Sequence, residues 1–284
     1  MLEQLVPALE TLRDCRLRET CRQFGRHFLL DQIVPKRASA RRSDYALSAM
    51  LATGSTFVHV PKTAGVSVLR ALYGNIGMGH MSIREYQRIL GPSFLNRAFV
   101  FTVVRNPWDR LFSAYSFLRA GGWPGSRDIL YYEKIKDCAS FEHFVLDYLG
   151  REDIREFDHF RPSLEYLVDD TGEVFPFDFI GRYARLDEDF GHLADLFGVD
   201  PALPRLNTGK NSGERKYLKA YTPRMIDTVA EYYGETIEAL GYWFDGYADT
   251  VPALDRSRAT HPHKRRATPS ARLQNAAADV IAAP

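Results

Sequence analysis

The sequence predicts an α/β fold, with three α/β/α layers and a mainly parallel central sheet. Apolar, strand-like runs alternate with helical patterns through the centre of the chain, which is typical of strand–helix–strand units. The two best strands, 56–60 and 98–104, are each followed by a helix start, and the second is apolar throughout, as in a strand buried on both faces. Ligands of such folds bind beyond the carboxyl ends of the strands, where Lys62 and Arg105 lie.

The composition is that of a globular protein. Its 284 residues are 45% hydrophobic and 26% charged, which provides enough apolar content for a sizeable core. A net charge of +1 argues against a broad cationic face for nucleic acid, so any anion site must be local. No flexible linker interrupts the centre, and we therefore predict one domain over 51–248. A helical, arginine-rich lead over 1–50 precedes it, and a basic tail over 249–284, expected to be disordered, follows it.

Cysteine usage and apolar runs indicate the compartment. Three scattered cysteines without a CxxC pair favour a reducing compartment, and no Cys/His cluster has zinc spacing, so no metal is expected. The first thirty residues are rich in arginine and glutamate and do not resemble a signal peptide. No run approaches the ~18 apolar residues of a membrane span. We therefore expect a cytoplasmic location.

Periodicity and cap residues predict the elements in chain order. Ser82 and Glu85 form the pattern of a capping box, Pro107 suits the first turn of a helix, and Gly241 suits a C-cap. The predicted elements are strand 56–60, helix 65–74, a helix from 82, strand 98–104, a helix from 107, helices 139–150 and 152–168, a short strand and a helix within 177–198, and helix 222–240.

The turn after the first strand, "PKTAG" at 61–65, has the composition of an anion-binding loop. Free N–H groups at a helix start attract anions, Gly65 allows close approach of the backbone, and Thr63 and Ser67 can add hydroxyl donors. A nucleotidase P-loop has its lysine after its second glycine, whereas Lys62 precedes the only glycine of this turn.

The segment "VVRNPWDRLFSAY" after the second strand indicates another anion site. Arg105 leaves the strand end as a forked donor suited to a phosphate, and Ser113 lies a little over two helical turns further on. Asn106 and Asp109 can cap the helix or hold Arg105 in place. The alternative interpretation is an ordinary buried arginine that pairs with Asp109.

Together the two segments resemble the donor-binding motifs of the sulfotransferases that use 3′-phosphoadenosine 5′-phosphosulfate (PAPS). The match is best to the carbohydrate branch that includes the heparan sulfate 2-O-sulfotransferases and many bacterial relatives. "FVHVPKTAGVS" is similar to the family's 5′-phosphosulfate loop, and "VVRNPWDRLFSAY" to its 3′-phosphate motif. The resemblance implies a P-loop-like fold and a donor, PAPS, that leaves as 3′,5′-ADP without a metal. The donor-binding residues that it implies are Lys62, Thr63, Ala64, Gly65, Val66, Ser67, Arg105 and Ser113.

Later segments extend the resemblance. "GHMSIREY" resembles the segment that carries the catalytic base of the 2-O-sulfotransferases, which implies this role for His80. "DHFRPSLEYL" also resembles a family segment, and its His159 is the alternative base or a substrate contact. "NTGKNSGERKYLKAYTP" resembles the loop that closes over the 3′-phosphate, with Lys210, Arg215 and Lys216 as candidates.

The resemblance implies transfer of a sulfuryl group from PAPS to a hydroxyl of a carbohydrate, or of a glycosylated or hydroxylated small molecule. In this chemistry Lys62 stabilises charge on the leaving oxygen, and a histidine removes the acceptor proton. Trp123, in a variable insert at 119–134, is a candidate platform for a sugar face. Two alternatives stay open. One is a P-loop-type nucleotide kinase, although no G-x-x-x-x-G-K-[ST] occurs; the other is a non-catalytic nucleotide-binding protein of the same fold.

Overall fold

The computed structural model describes residues 46–74, 79–123, 126–204, 206 and 215–254. Its centre is a parallel sheet of three strands, β1 (Ser55–Val58), β2 (Phe99–Val104) and β3 (Phe179–Arg182), in the order β1-β2-β3. Helices flank this sheet, which confirms the predicted α/β fold. An antiparallel pair, β4 (Tyr242–Trp243) and β5 (Gly246–Tyr247), follows near the end of the described chain.

The helices differ widely in length. In chain order they are α1 (Ala46–Thr53), α2 (Gly65–Tyr73), α3 (Ile83–Leu90), α4 (Pro92–Leu95), α5 (Pro107–Arg119), α6 (Asp128–Ile135), α7 (Phe141–His143), α8 (Glu152–Arg155), α9 (Leu164–Leu167), α10 (Leu186–Phe197), α11 (Pro223–Tyr232) and α12 (Gly234–Leu240). A π-helical turn, Phe144–Tyr148, extends α7, and short 3-10 turns cover Tyr183–Arg185, Lys216–Lys219 and Pro252–Leu254.

Strand β2 is the middle strand of the sheet, and all of its residues are buried. Because the sheet is covered on both faces, this strand needs apolar side chains on both sides, as the sequence predicts for 98–104. The Phe101 ring stacks on Phe57 of β1 with centroids 5.0 Å apart, and the Thr102 hydroxyl donates to the Val58 carbonyl at 2.7 Å. These contacts stabilise a register in which β1 and β2 end at the same edge of the sheet.

Cap geometry confirms three predicted helix boundaries. The Ser82 hydroxyl accepts the Glu85 amide and the Glu85 carboxylate accepts the Ser82 amide, which completes the capping box of α3. The Asn106 side chain caps α5, whose first residue is Pro107. Gly241 follows α12 with its backbone in the left-handed region, at φ 65°.

Two predicted helices are wrong as single elements. Residues 152–168 form α8 and α9 with an irregular stretch between them, because Pro162 has no N–H to donate and disfavours helical backbone at the residue before it. Residues 222–240 form α11 and α12, with a break at Tyr233, where φ is −106° and ψ is 19°. The Tyr233 ring is buried and its hydroxyl donates to the Phe160 carbonyl at 2.7 Å, so tertiary packing determines this break.

The described chain stays packed beyond residue 248, the predicted end of the domain. The buried Arg182 guanidinium donates to the carbonyls of Leu240, Ala248 and Thr250 at 3.1, 2.9 and 3.1 Å, and Leu254 packs against the sheet core. Residues 1–45 of the predicted lead and 255–284 of the predicted tail lie outside the described residues. Within the described residues, no helix combines the length and the apolar character needed to cross a membrane.

Candidate active site

The turn between β1 and α2 has an unusual backbone. Lys62 and Ala64 both have positive φ, at 68° and 65°. This conformation costs a non-glycine residue roughly 1–2 kcal/mol and is concentrated at functional sites. The Thr63 side chain is buried, and its hydroxyl donates to the Val60 carbonyl at 2.8 Å. That hydrogen bond stabilises the turn. Because it uses the hydroxyl proton of Thr63, only the backbone amide of this residue can donate to an anion.

The first turn of α2 has backbone donors that the helix does not use. The amides of Ser67 and Val68 both donate to the Ala64 carbonyl, at 2.9 and 3.2 Å, whereas the amides of Gly65 and Val66 precede the first intrahelical bond. These two amides lie at the positive end of the helix dipole. The start of α2 therefore suits an anion.

Gly65 is required by a neighbouring side chain and not by its own backbone conformation. A Cβ at this position would lie 1.9 Å from Cδ2 and 2.1 Å from Nε2 of His59, and Gly65 does not have a left-handed φ. The His59 ring is buried, with ring centroids 5.7 Å from Phe57 and 4.5 Å from His80. The absent side chain at position 65 thus makes room for His59, in addition to any contact with a ligand.

Lys62 lies against an aromatic ring and close to other cations. Its Nζ is 3.7 Å from the centroid of the Phe117 ring, and its carbonyl accepts a hydrogen bond from Arg105 at 3.0 Å. Burial, followed by the positive charge of Arg105, lowers the pKa of Lys62 to about 7. A bound anion would favour the protonated ammonium group and so restore the charge of this lysine.

Arg105 is paired with Asp109 and faces the same cleft as Lys62. Its Nε and Nη2 donate to the two carboxylate oxygens of Asp109 at 2.7 and 2.8 Å, and its guanidinium carbon lies 3.9 Å from the centroid of the Tyr183 ring. The pairing with Asp109 that the alternative interpretation expects is therefore present, and Asp109 orients the guanidinium without removing it from the cleft. The contacts leave guanidinium N–H groups for a further acceptor.

Three histidine rings, the histidine row, follow one another in the cleft. The ring centroids of His59 and His80 are 4.5 Å apart, and those of His80 and His159 are 5.5 Å apart. Nδ1 of His80 lies 3.3 Å from the His59 carbonyl oxygen, and because a carbonyl can only accept, Nδ1 carries the proton and Nε2 keeps a free lone pair. Burial lowers the pKa of His80 to about 4 and the pKa of His59 and of His159 well below the usual value. All three rings are neutral at pH 7, as a base must be.

Arg110, which the sequence analysis does not single out, connects the turn to the segment that carries His159. Its Nε donates to the Pro61 carbonyl at 3.0 Å, and its Nη1 and Nη2 donate to the carbonyls of Arg161 and Asp158 at 2.8 and 3.1 Å. The guanidinium is buried, so these carbonyls replace water as its acceptors. Its partners lie 48 to 51 residues away in the chain, and a motif alone does not identify them.

Lys62, Arg105, the start of α2 and the histidine row line one cleft of about 2130 Å³, beyond the carboxyl ends of the three parallel strands. A small-ligand pocket has about 300–1,000 Å³, so this cleft has room for two reactants. The predicted site residues that it brings together are Lys62, Ala64, Gly65, Val66, Ser67, His80, Arg105, Ser113, Trp123, His159 and Arg215. Thr63 and Lys216 do not line it, and Lys210 lies outside the described residues.

The cleft also contains residues that the sequence analysis misses. Tyr183, which stacks on Arg105, directly follows β3, and its location at the end of a parallel strand is a signal that could have found it. Phe117 and the buried Asp128 occur in no recognisable motif and are identified by the structure alone. Among the described residues, no group of three or more His, Cys, Asp and Glu side chains is arranged to hold a metal ion.

The comparison with protein-family models identifies the class. A model of the sulfotransferase family matches residues 56–243, roughly two thirds of the chain, and this range contains the turn, the histidine row and Arg105. The chain therefore belongs to the sulfotransferase family, and its chemistry is the transfer of a sulfuryl group. Comparisons with curated proteins and with solved structures find no significant match.

Proposed function

We propose that this sulfotransferase moves the sulfuryl group of PAPS to a hydroxyl group of a carbohydrate, or of a glycosylated or hydroxylated small molecule. The observation that carries the proposal is that one cleft contains Lys62, the free amides at the start of α2 and the neutral ring of His80. Sulfuryl transfer needs a cation for the leaving oxygen, donors for the phosphate that departs, and a base for the acceptor hydroxyl.

The donor-binding residues suit the two anionic ends of PAPS. The amides of Gly65 and Val66 and the hydroxyl of Ser67 are the proposed contacts of the 5′-phosphosulfate, with the amides of Thr63 and Ala64 beside them. Arg105, Ser113 and Arg215 are the proposed contacts of the 3′-phosphate, since a guanidinium group binds phosphate oxygens in a forked geometry. Lys210 and Lys216 are candidates for the same phosphate on the sequence motif alone, since Lys216 does not line the cleft and Lys210 lies outside the described residues.

Lys62 is the proposed stabiliser of the leaving group. As the acceptor oxygen bonds to sulfur, the bond between sulfur and the bridging oxygen breaks, and negative charge grows on the departing 5′-phosphate. An ammonium group in a partly desolvated site interacts with that charge more strongly than it would in water. The positive φ of Lys62 and the hydrogen bond from Arg105 to its carbonyl hold the lysine in position for this task.

His80 is the proposed base, and His159 is the alternative. The His59 carbonyl holds the proton of His80 on Nδ1, so Nε2 can take the proton of the acceptor hydroxyl during the displacement. His159 lies next in the row and is also neutral, so the arrangement alone supports either ring. The motif around His80 and the hydrogen bond between its Nδ1 and the His59 carbonyl favour His80.

Two parallel substitutions test the assignment of the base. His80→Asn can keep a polar contact with the His59 carbonyl, and we expect it to lower kcat by about 10²- to 10⁴-fold while the affinity for 3′,5′-ADP stays near that of the wild type. His159→Asn should have a smaller effect, and His192→Asn, an exposed control outside the cleft, should have none. Near-normal turnover by His80→Asn would refute the assignment, and loss of turnover only in His159→Asn would transfer the role to that ring.

The two alternative functions are not favoured. A nucleotide kinase should turn over ATP in the presence of Mg²⁺, and the chain has no lysine after a second loop glycine to hold a triphosphate. A non-catalytic binding protein should bind 3′,5′-ADP tightly but release none from PAPS with any acceptor. Release of 3′,5′-ADP from PAPS, measured against a panel of hydroxylated acceptors, distinguishes the three functions.

A further inference from the structure

One side of the cleft is formed by a row of adjacent rings, which we call the aromatic wall: Phe117, Tyr131, Phe157 and His159. The wall begins at the reacting groups, because Lys62 Nζ lies on the Phe117 ring. Ring centroids are 5.4 Å apart from Phe117 to His159 and 4.6 Å from His159 to Phe157, and Phe157 stacks on Tyr131 at 3.7 Å. Flat apolar rings of this kind bind the apolar face of a sugar.

Asp128 is a buried carboxylate at the edge of this wall. It lies one turn before Tyr131 on α6, so both side chains belong to the same face of that helix, and both line the cleft. Its Oδ2 accepts the Trp123 amide at 2.8 Å, whereas its Oδ1 has no hydrogen bond or ion pair with any residue in the described part of the chain. This oxygen is open to the cleft and can accept a hydrogen bond from a ligand there.

The carboxylate is close enough to the reacting groups to influence them. Burial lowers the pKa of Lys62 and of His80, and the Asp128 carboxylate opposes that lowering in both cases. A group bound to Asp128 and stacked on the aromatic wall would therefore lie near the proposed leaving-group lysine and base. Trp123, whose side chain is 46% exposed, stands at the rim of this region.

Charged side chains of both signs surround the wall, and Asp128 is the buried carboxylate among them. Besides the buried Asp128, the carboxylates of the half-buried Asp158 and the exposed Glu156 line this part of the cleft. Of the arginines, Arg119 is engaged with backbone carbonyls at 135 and 136, and Arg127 is exposed. The Asp128 carboxylate lies at the edge of the wall itself, so it would repel a carboxylate or sulfate on a sugar that packs against the rings, because like charges at an interface disfavour binding.

We propose that the aromatic wall and Asp128 bind the acceptor, and that Asp128 selects sugars that are uncharged or carry amino groups over sugars that carry carboxylates or sulfates. The proposal rests on the proposed function, since it assigns the acceptor class of that same site. Hydroxyl and ammonium groups donate to Oδ1 of Asp128 while a sugar face packs on the rings. Sites that hydrogen-bond a substrate through a buried charge discriminate strongly against ligands that leave the charge unpaired.

A matched set of oligosaccharides tests the selectivity of the wild-type protein. Chitosan trisaccharide carries amino groups, its fully N-acetylated form is uncharged, and a hyaluronan tetrasaccharide carries carboxylates on a similar backbone. With PAPS as donor and 3′,5′-ADP as the readout, we expect kcat/KM for both of the first two to exceed that for hyaluronan by at least about 10-fold. An equal or higher value for hyaluronan would overturn the proposal.

A charge-neutral substitution tests the role of Asp128. Asp128→Asn keeps an oxygen for the Trp123 amide, so the loop retains its hydrogen bond, but the charge is lost. We expect the KM for chitosan trisaccharide to rise about 10- to 100-fold, while the KM for PAPS and the affinity for 3′,5′-ADP change by less than about twofold. Asp195→Asn, an exposed carboxylate outside the cleft, is the matched control and should resemble the wild type. An unchanged acceptor KM in Asp128→Asn would overturn the proposal.

A binding measurement separates failure of this proposal from failure of the proposed function. If none of the three oligosaccharides is sulfated although 3′,5′-ADP binds, transfer to these sugars is refuted, but calorimetric titration of each of them into the 3′,5′-ADP complex still ranks their binding. Tighter binding of the amino or uncharged sugar, weakened in Asp128→Asn, supports the acceptor assignment. Tighter binding of hyaluronan, or no binding of any of the three, refutes it.

Discussion

Substitution of Gly65 by alanine should destabilise the protein because of His59. The new Cβ would lie 1.9 Å from Cδ2 of His59, where ordinary contacts are 3.4–4 Å, so the ring must move by more than 1 Å. The ring cannot move freely, since it is buried and packs on both Phe57 and His80. Overpacking of a core costs about 1–3 kcal/mol, and with two neighbouring rings displaced we expect about 3 kcal/mol. For a domain of this size that lowers Tm by about 6–12 °C.

Urea denaturation of a small set of variants measures this cost. Gly191→Ala is the matched control, because it lies within α10 with no atom within 4 Å of the added Cβ, and alanine should stabilise that helix by about 0.5–1 kcal/mol. In a His59→Ala background the cost of Gly65→Ala should fall by at least about 2 kcal/mol, since the colliding ring is gone. If Gly65→Ala costs the same with and without the His59 ring, the steric explanation is refuted.

The remaining predictions concern the buried Arg110 and the pH dependence of activity. The lysine of Arg110→Lys cannot reach all three backbone carbonyls at once, so this variant should lower the free energy of unfolding by about 2–3 kcal/mol and kcat by at least about 10-fold. Wild-type kcat in this variant would contradict a role of Arg110 in positioning the turn and the segment that carries His159. Activity also depends on pH, because burial lowers the pKa of His80 to about 4 and that of Lys62 to about 7. Below the first value the base is protonated, and above the second the lysine loses its charge, so kcat/KM should be highest between about pH 4 and 7. Lys62→Arg should remove the alkaline decline, and an acidic decline centred near the ordinary histidine pKa of about 6.5 would contradict the buried state of His80.

Much of the fold follows from the sequence because its signals are local. The apolar run at 98–104, the capping box at Ser82 and the proline at 107 each depend on a few neighbouring residues, and all three correspond to observed elements. Where the determinant is a distant contact, the sequence misleads, as in helix 222–240. The buried Tyr233 interrupts it through a bond to Phe160, 73 residues away.

The candidate site is also predictable from the sequence only in part. A strand end followed by a helix start is visible in the sequence, so Lys62 and Arg105 can be assigned to one edge of a sheet before the fold is known. Their pairing is visible only in the structure, where Arg105 donates to the Lys62 carbonyl across 43 residues. The pairing of Arg105 with Asp109, in contrast, is predictable from the sequence, because the two residues lie one helical turn apart.

The sequence by itself determined which candidate functional residues occur and in which order along the chain. A loop with an early lysine comes first, a histidine follows it, and an arginine follows the next strand. The tertiary structure alone decided that His59, His80 and His159 form one row, that Gly65 makes room for His59, and that a buried Asp128 faces the cleft. The physical reason is that propensity and capping act over one or two helical turns, whereas burial and the pKa values that it lowers depend on side chains brought together from distant parts of the chain.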